Sequence, residues 1–491
     1  MLKIVTRLGS LSFIYTLEVL LSRGIALLLL PIYAANFSQE DFGVLALVTM
    51  VKAVFSTLLP MGLIGVVNRF HHQFENETDR KHFYGSVWSF LIVIPAVIVF
   101  FLITYGSALF ELLFVQVPFT PYIQLALLMA LLNTSFLTLP PQIFRMNEMA
   151  FPALCLSLLQ FLSTAVLTVY FLNVLDLGLN GAIYGQLLGL LITSIFGAVA
   201  LIKFTKLNLK WLNIKSALAY SLPLVPHFFS NWALNASDRA ILERFLPLGD
   251  VGIYSMGYQI GSAFHMIVAG LNSALIPMYS RAIKDKEEHS RLTLVATYYI
   301  GVLTASGLMI SLLGGDVIDI LAGEEFSRST IVIPWIVFAY LSMGFYFMGM
   351  NSLTIISGKS NQVPLVSAAA AILNIIINII FIPRYGIIAA AVSTAISYLL
   401  LSVTILTLAY RIHPINYEWE RFAKLIISAF ILYFIGSAIS SRAEYITLKI
   451  LIDVGTATLF PILLLLLNFF NPSERLLIHK WMRKIGKPSK V

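Results

Sequence analysis

Long apolar stretches alternate with short polar ones along the whole chain. A helix needs about 20 mostly apolar residues to cross a bilayer. Punctuated by charges, Pro and Gly, the chain divides into fourteen such stretches, near 8–35, 42–67, 84–110, 120–144, 153–174, 181–202, 218–245, 251–280, 292–313, 329–356, 363–382, 386–410, 425–440 and 448–470. The pattern predicts an all-α membrane protein with fourteen transmembrane helices. The first stretch carries Glu18 and Arg23 and is too long for a signal peptide, so it is read as the first span. The connections are brief; the longest outward one is expected at 314–328.

Composition agrees. Of 491 residues, 59% are hydrophobic and 11% charged, with mean hydropathy +0.88. A soluble domain is about a quarter charged, so most of this surface must face lipid. The net charge of +8 is spread over short loops instead of gathering in one stripe, which argues against nucleic acid and for a topology signal. With a cytoplasmic N-terminus, 24 of the 32 Lys and Arg fall in inward segments and only Arg328, Arg384, Arg442 and Lys449 in outward ones. That bias predicts that both termini are cytoplasmic. Cys155 is the single cysteine and His71-His72 lacks ligand spacing, so neither a disulfide nor a metal site is expected.

Three matches suggest an internal repeat. Asp41-Phe42-Gly43-Val44 recurs as Asp250-Val251-Gly252-Ile253 at an offset of 209, while Gly62-Leu63 recurs as Gly270-Leu271, and Gly178 as Gly386, at 208. The repeat predicts six-helix bundles at 1–205 and 216–411, with spans 13 and 14 and a basic cytoplasmic tail over 412–491. An even number of spans keeps both copies in one orientation, related by an axis along the membrane normal, with a site between bundles.

The run Pro31-Ile32-Tyr33-Ala34-Ala35-Asn36-Phe37-Ser38-Gln39-Glu40-Asp41-Phe42-Gly43 resembles the first-loop signature of Wzx-type polysaccharide (O-antigen or exopolysaccharide) repeat-unit flippases. So do Ser221-Leu222-Pro223-Leu224-Val225-Pro226, Asn235-Ala236-Ser237-Asp238-Arg239 and Val251-Gly252-Ile253-Tyr254-Ser255. Ser357-Gly358-Lys359, followed by Asn374, Asn378 and Ile382-Pro383-Arg384-Tyr385-Gly386, extends the match through nearly the whole chain. That family belongs to the superfamily of multidrug extruders and peptidoglycan-precursor flippases. The resemblance implies translocation of an undecaprenyl-diphosphate-linked oligosaccharide to the outer leaflet of a bacterial cytoplasmic membrane, with polysaccharide polymerase and assembly proteins as partners.

Ionisable groups within spans point to function independently of family, because hydrocarbon penalises them. Arg23 lies in span 1 and Lys52 in span 2, roughly 15 Å from the outer boundary at 1.5 Å per residue. Facing a cavity, they would offset the desolvation of a lipid diphosphate. The plainer alternative pairs Arg23 with Glu18 or lets it snorkel outward, although five residues of separation put the two about 140° apart on the helix. On span 7, His227, Asn231, Asn235 and Asp238 lie within about 80° of one another. This stripe suits a sugar-binding lumen or, alternatively, interhelical hydrogen bonding. Pro223 and Pro226 are expected to bend or break this helix. Arg239 and Glu243 can pair four residues apart, as part of an outer gate with Arg244; direct contact of Arg239 with the diphosphate is the other reading. Asn374 and Asn378 share a face of span 11 and fit either a lumen wall or a helix contact. Glu18 and Asp238 are the candidate groups for H⁺ or Na⁺ coupling.

The sequence has no phosphate-binding Gly-rich loop and no His-Glu-x-x-His motif. Neither a catalytic residue nor an organic cofactor is therefore expected, and the chain is read as a transporter and not an enzyme. A cation-coupled drug extruder would need acidic cavity groups, and a membrane polymerase a sizeable outward loop. Both readings fit this chain less well.

Overall fold

The computed structural model describes residues 24–25, 27–282, 286–358, 362–472 and 474–475, with the backbone alone at 286–290. Glu18 and Arg23, and all of the first expected span before residue 24, lie outside the described residues. Among those described, the chain forms helices and turns and no strand. The first group is α1 (Leu27–Asn36), α2 (Gln39–Leu58), α3 (Ile64–Phe70), α4 (Glu77–Tyr105), α5 (Ser107–Leu113), α6 (Phe119–Met146), α7 (Ala150–Asn173) and α8 (Gly178–Ile202). Then come α9 (Trp211–Ser221), α10 (Val225–Phe245), α11 (Leu248–Ala282), α12 (Lys286–Ala322), α13 (Glu324–Ile356), α14 (Gln362–Ile412), α15 (Trp419–Ser440) and α16 (Ile446–Leu466). Eleven of these are long and apolar enough to cross a membrane, so the chain is a multi-pass membrane protein.

The 51-residue α14 would measure about 75 Å if straight, over twice the ~30 Å of hydrocarbon in a bilayer. It is two antiparallel limbs. Gly386 breaks the helix at φ 62°, ψ −143°, and Asn378 meets Ser393, fifteen residues on, across the turn. Gly178 opens α8 with φ 53°, so the two glycines matched in the sequence share a left-handed conformation.

Three expected boundaries move. The second span does not run from 42 to 67 unbroken: α2 stops at Leu58, and Gly62 (φ 74°) passes so close to Ser221 that a Cβ would stand 2.6 Å from its carbonyl oxygen. The seventh divides, as its prolines require, into α9, a tight turn at Leu222–Leu224, and α10. The expected outward loop at 314–328 is largely helix, because α12 continues to Ala322. Gly314 and Gly315 act there as close-packing positions against Ile333 and Thr330 and do not break the chain.

The chain comprises two compact units, Met1–Gln259 with Leu321–Ser329 and Asn361–Ser397, and Ile260–Ile320 with Thr330–Ser360 and Tyr398–Val491. In the first, α2 packs on α6 and α10, and α7 lies along α8. A capping box starts α2: Asp41 N–H donates to Ser38 Oγ (3.1 Å) and Ser38 N–H to Asp41 Oδ2 (3.2 Å). Here the repeated Asp-x-Gly sequences meet each other. A Cβ on Gly43 would stand 2.2 Å from Leu248 O, and one on Gly252 2.0 Å from Gln39 O. Around this crossing, Gln39 Nε2 donates to Glu325 O (2.6 Å), Arg328 pairs with Asp250 (3.3 Å), and Phe42 meets Phe326 edge-on at 5.7 Å.

In the turn between α3 and α4, His71 Nδ1 lies 2.7 Å from Tyr84 Oη. Burial, then the charges of Arg80 and His72, hold its pKa below the ordinary 6.5. The folded state therefore favours neutral imidazole and loses this stabilisation as pH falls through the depressed value.

Two outcomes are expected in thermal unfolding. Gly43→Ala and Gly252→Ala each lower stability by about 1–3 kcal/mol, because the obstructing atoms are backbone. Gly65→Ala, whose Cβ would meet nothing within 4 Å, leaves it unchanged or slightly higher. Separately, the loss of stability on acidification below about pH 6.5 is shallower in His71→Gln than in the parent.

Candidate translocation site

The polar stripe lies on α10, held against α2. At its far end Asp238 is 1% exposed. It accepts a short hydrogen bond from Tyr254 Oη on α11, one from Arg239 N (2.8 Å), and an ion pair from Arg239 Nη1 (3.1 Å). The Arg239 guanidinium lies over the ring of Tyr258 at 4.3 Å and near that of Tyr254 at 5.7 Å, and Nη1 also donates to Asn235 O (2.9 Å). Tyr258 Oη donates to Asn235 Oδ1 (3.2 Å), and Asn235 Nδ2 to Asn231 O (2.6 Å). Carboxylate, guanidinium, two phenols and an amide thus form one continuous network.

That network alters two expectations. Arg239 pairs with Asp238 instead of Glu243, so its charge is balanced and it is no spare cation for a diphosphate. Glu243 is buried and accepts from Gln116 N (2.5 Å), while Gln116 Nε2 donates to Glu243 O (2.5 Å) and Leu246 O (2.8 Å). Gln116 thereby satisfies orphan carbonyls at the C-terminal end of α10, and Arg244 reaches Leu112 O (3.3 Å).

Asn374 and Asn378 are fully buried, which removes them from an accessible lumen wall. Asn378 Nδ2 donates to Asn374 Oδ1 (3.1 Å), Ser393 Oγ bonds Asn378 Oδ1, and Asn374 Nδ2 reaches Ser393 (3.4 Å). The triad fastens the two limbs of α14 together.

The remaining stripe stays open. Asn231 is exposed within the spanning length, whereas His227 Nδ1 and Trp232 Nε1 are buried without a hydrogen-bond partner. On α2, Thr49, Lys52, Ala53 and Ser56 fall within about 100° of arc. Thr49 is exposed, and the other three are half-buried. This accessible face is polar where a lipid-facing one would be apolar. No hydrogen bond or ion pair joins Lys52 to any described residue.

Sequence reasoning missed Tyr254, Tyr258 and Gln116. The two tyrosines share a helix face four residues apart, the one available signal, which any interfacial aromatic pair would also give. In the second unit it also missed Asp316 and Asp453, buried carboxyls with Ser440 Oγ donating to Asp453 (3.1 Å) and Lys449 bonded to the adjacent Asp319 (3.4 Å).

Removing one member of a buried ion pair strands the other, at a cost of about 3–5 kcal/mol. Arg239→Ala, which leaves the buried Asp238 unpaired, is therefore expected to lower the unfolding temperature more than Tyr254→Phe, which keeps the ion pair. Equal effects of the two would contradict the network.

Comparison with known proteins places this geometry. Residues 9–283 match the family described as polysaccharide biosynthesis protein. The Lsg locus putative protein 1 of Haemophilus influenzae is 23% identical over 80% of this chain and 97% of its own length. The probable flippase AglR of Haloferax volcanii is 25% identical over 46% of this chain and 48% of its own. Among solved structures, the lipid II flippase MurJ in an inward closed conformation superposes with TM-score 0.71 at 14% identity, covering 91% of this chain and 98% of that one. An inward-facing multidrug resistance MATE family transporter gives 0.61 at 15% identity, covering 84% and 95%. Its helices follow a fold shared with the lipid II flippase and the MATE family transporter, and over more than half its length it matches one family: the chain is a member of the polysaccharide biosynthesis protein family.

Proposed function

We propose that this protein flips an anionic lipid-linked oligosaccharide, an undecaprenyl-diphosphate-linked repeat unit, from the cytoplasmic to the outer leaflet by alternating access. The observation that carries the reading is Lys52: a half-buried cation on the accessible polar face of a spanning helix, bonded to no described residue. Hydrocarbon strongly disfavours such a group, whereas a water-filled path crossed by a diphosphate needs it. Arg23 would join it from the first span. Asn231 and His227 on α10 offer hydrogen bonds to sugar hydroxyls.

The eleven apolar helices support a fourteen-span reading once α14 is counted as two limbs, α10 as a span, and α1 as the end of the first. The excess of Lys and Arg in inward segments supports cytoplasmic termini in a bacterial inner membrane. The meeting of Gly43 with Gly252 supports paired bundles over 1–205 and 216–411, with 412–491 as an appendage. Relatives named as probable flippases, rather than enzymes, support a transport role.

The drug-extruder alternative draws on the fold shared with the MATE family transporter. Cationic drugs need free acids, and the carboxylates of α10 are engaged, Asp238 by Arg239 and Tyr254, Glu243 by Gln116. Ion coupling then rests on Glu18, or on Asp238 exchanging its partner for H⁺ or Na⁺ during the cycle.

Loss of the protein should cause an undecaprenyl-linked glycan to accumulate in the inner leaflet. Lys52→Ala should slow transport in proteoliposomes roughly 10–100-fold, the worth of one charge-assisted hydrogen bond. Wild-type rates in both Lys52→Ala and Arg23→Ala would refute the cationic site. A full response of Glu18→Gln and Asp238→Asn to imposed H⁺ and Na⁺ gradients would refute coupling through those carboxyls.

A further inference from the structure

The segment joining α8 to α10 has no part in the translocation site, yet it is built with care. After α8 ends at Ile202 the chain turns at 203–204, runs without regular structure to Lys210 and enters α9. Its inward side is pinned to the start of α4. Asn208 Nδ2 donates to His82 O (3.0 Å) and Lys206 O (2.8 Å), and Asn208 Oδ1 accepts from Ser86 Oγ. Asn213 Nδ2 donates to that same Ser86 Oγ (3.2 Å), and Lys206 N to Lys81 O (3.0 Å). The approach is so close that a Cβ on Gly85 would stand 1.8 Å from Lys206 O. Farther on, Ile214 and Ala217 of α9 are buried in the cluster formed with Leu63, Val67 and Tyr84.

The outward side is the reverse of what water favours. Leu207 and Leu209, on either side of the half-buried Asn208, are 63% and 62% exposed. Trp211 and Leu212 follow at 66% and 75%. Lys206, Lys210 and Lys215 are interleaved with them and exposed, and the sequence has no Asp or Glu between Asp176 and Asp238. These side chains lie where α8 ends and α4 begins, at the level at which spanning helices leave the membrane. Exposed Leu and Trp interleaved with lysines, on a segment with no acid of its own, match the apolar zone and anionic headgroups of a lipid leaflet.

We infer that the α8–α9 connector together with α9 is a docking surface for anionic phospholipid. Leu207, Leu209, Trp211 and Leu212 enter the acyl boundary, and Lys206, Lys210 and Lys215 hold the headgroup phosphates. The surface is independent of the cargo. It anchors in the interface the one connection between the two expected bundles.

The test uses purified full-length protein in detergent, with its unfolding temperature followed during titration with phosphatidylglycerol, phosphatidylcholine or inorganic phosphate. Phosphatidylglycerol should raise the midpoint more than phosphatidylcholine does, and inorganic phosphate should leave it unmoved. The triple variant Lys206→Gln, Lys210→Gln, Lys215→Gln should need on the order of 100-fold more phosphatidylglycerol for the same shift. A control carrying Arg281→Gln and Arg411→Gln, exposed bases elsewhere, should respond like the parent. Brominated phosphatidylglycerol should quench the emission lost in Trp211→Phe. An undiminished phosphatidylglycerol response in the triple variant, an equal loss in the control, or an equal shift from inorganic phosphate would overturn the inference; indifference to every lipid would point to a protein partner instead.

Discussion

Hydrocarbon offers no hydrogen bonds, so each polar group on a spanning helix must find a partner in the protein or face water. Two groups of polar residues in this chain show that constraint at work. Asp238, Glu243, Asn374 and Asn378 are buried and bonded, as is Asn351, which donates to Asn272 (2.8 Å) in the second unit. Lys52 and Asn231 keep access to their surroundings, and it is on this group that the proposed path across the membrane rests. The division runs within single helices: α10 carries an open stripe near its start and a closed network near its end.

The closed network and the crossing of α2 with α11 are parts of one assembly. Asp238 on α10 is tied to Tyr254 on α11, and α11 begins with the Gly252 contact to α2. Backbone touching backbone leaves little freedom for sliding, and Gln39, Asp250 and Phe42 brace the crossing from three sides. A conformational change that opened this end would have to break these contacts together. Lys52 lies about two and a half turns along α2 from Gly43 at 3.6 residues per turn.

Much of the fold is legible in the sequence because lipid imposes a crude and reliable rule on length and apolarity. The division of α14 at Gly386 and the break of the seventh span at its prolines follow from local backbone chemistry. Gly314 and Gly315 mislead because a glycine that ends a helix and one that admits a neighbour look alike in one dimension. The site is less legible for a related reason. Asn374 and Asn378 share a face on any helix drawing, but their assignment depends on Ser393, which reaches them only after the chain doubles back. Arg239 and Glu243 have ideal spacing for a pair, and tertiary structure overrides it: Tyr254 and Arg239 together solvate Asp238, while Gln116 claims Glu243. Spacing lists which partners are available and not which are chosen.

The account turns on whether Lys52 faces water, and cysteine accessibility measures that directly. Cys155 is exposed and must first be replaced by Ser. In that background, Lys52→Cys should react with a membrane-impermeant thiol reagent and be protected by lipid-linked oligosaccharide, with Thr49→Cys behaving alike. Labelling of both positions only by a lipid-soluble maleimide, unaffected by the glycolipid, would put this face of α2 in lipid and contradict the proposed path.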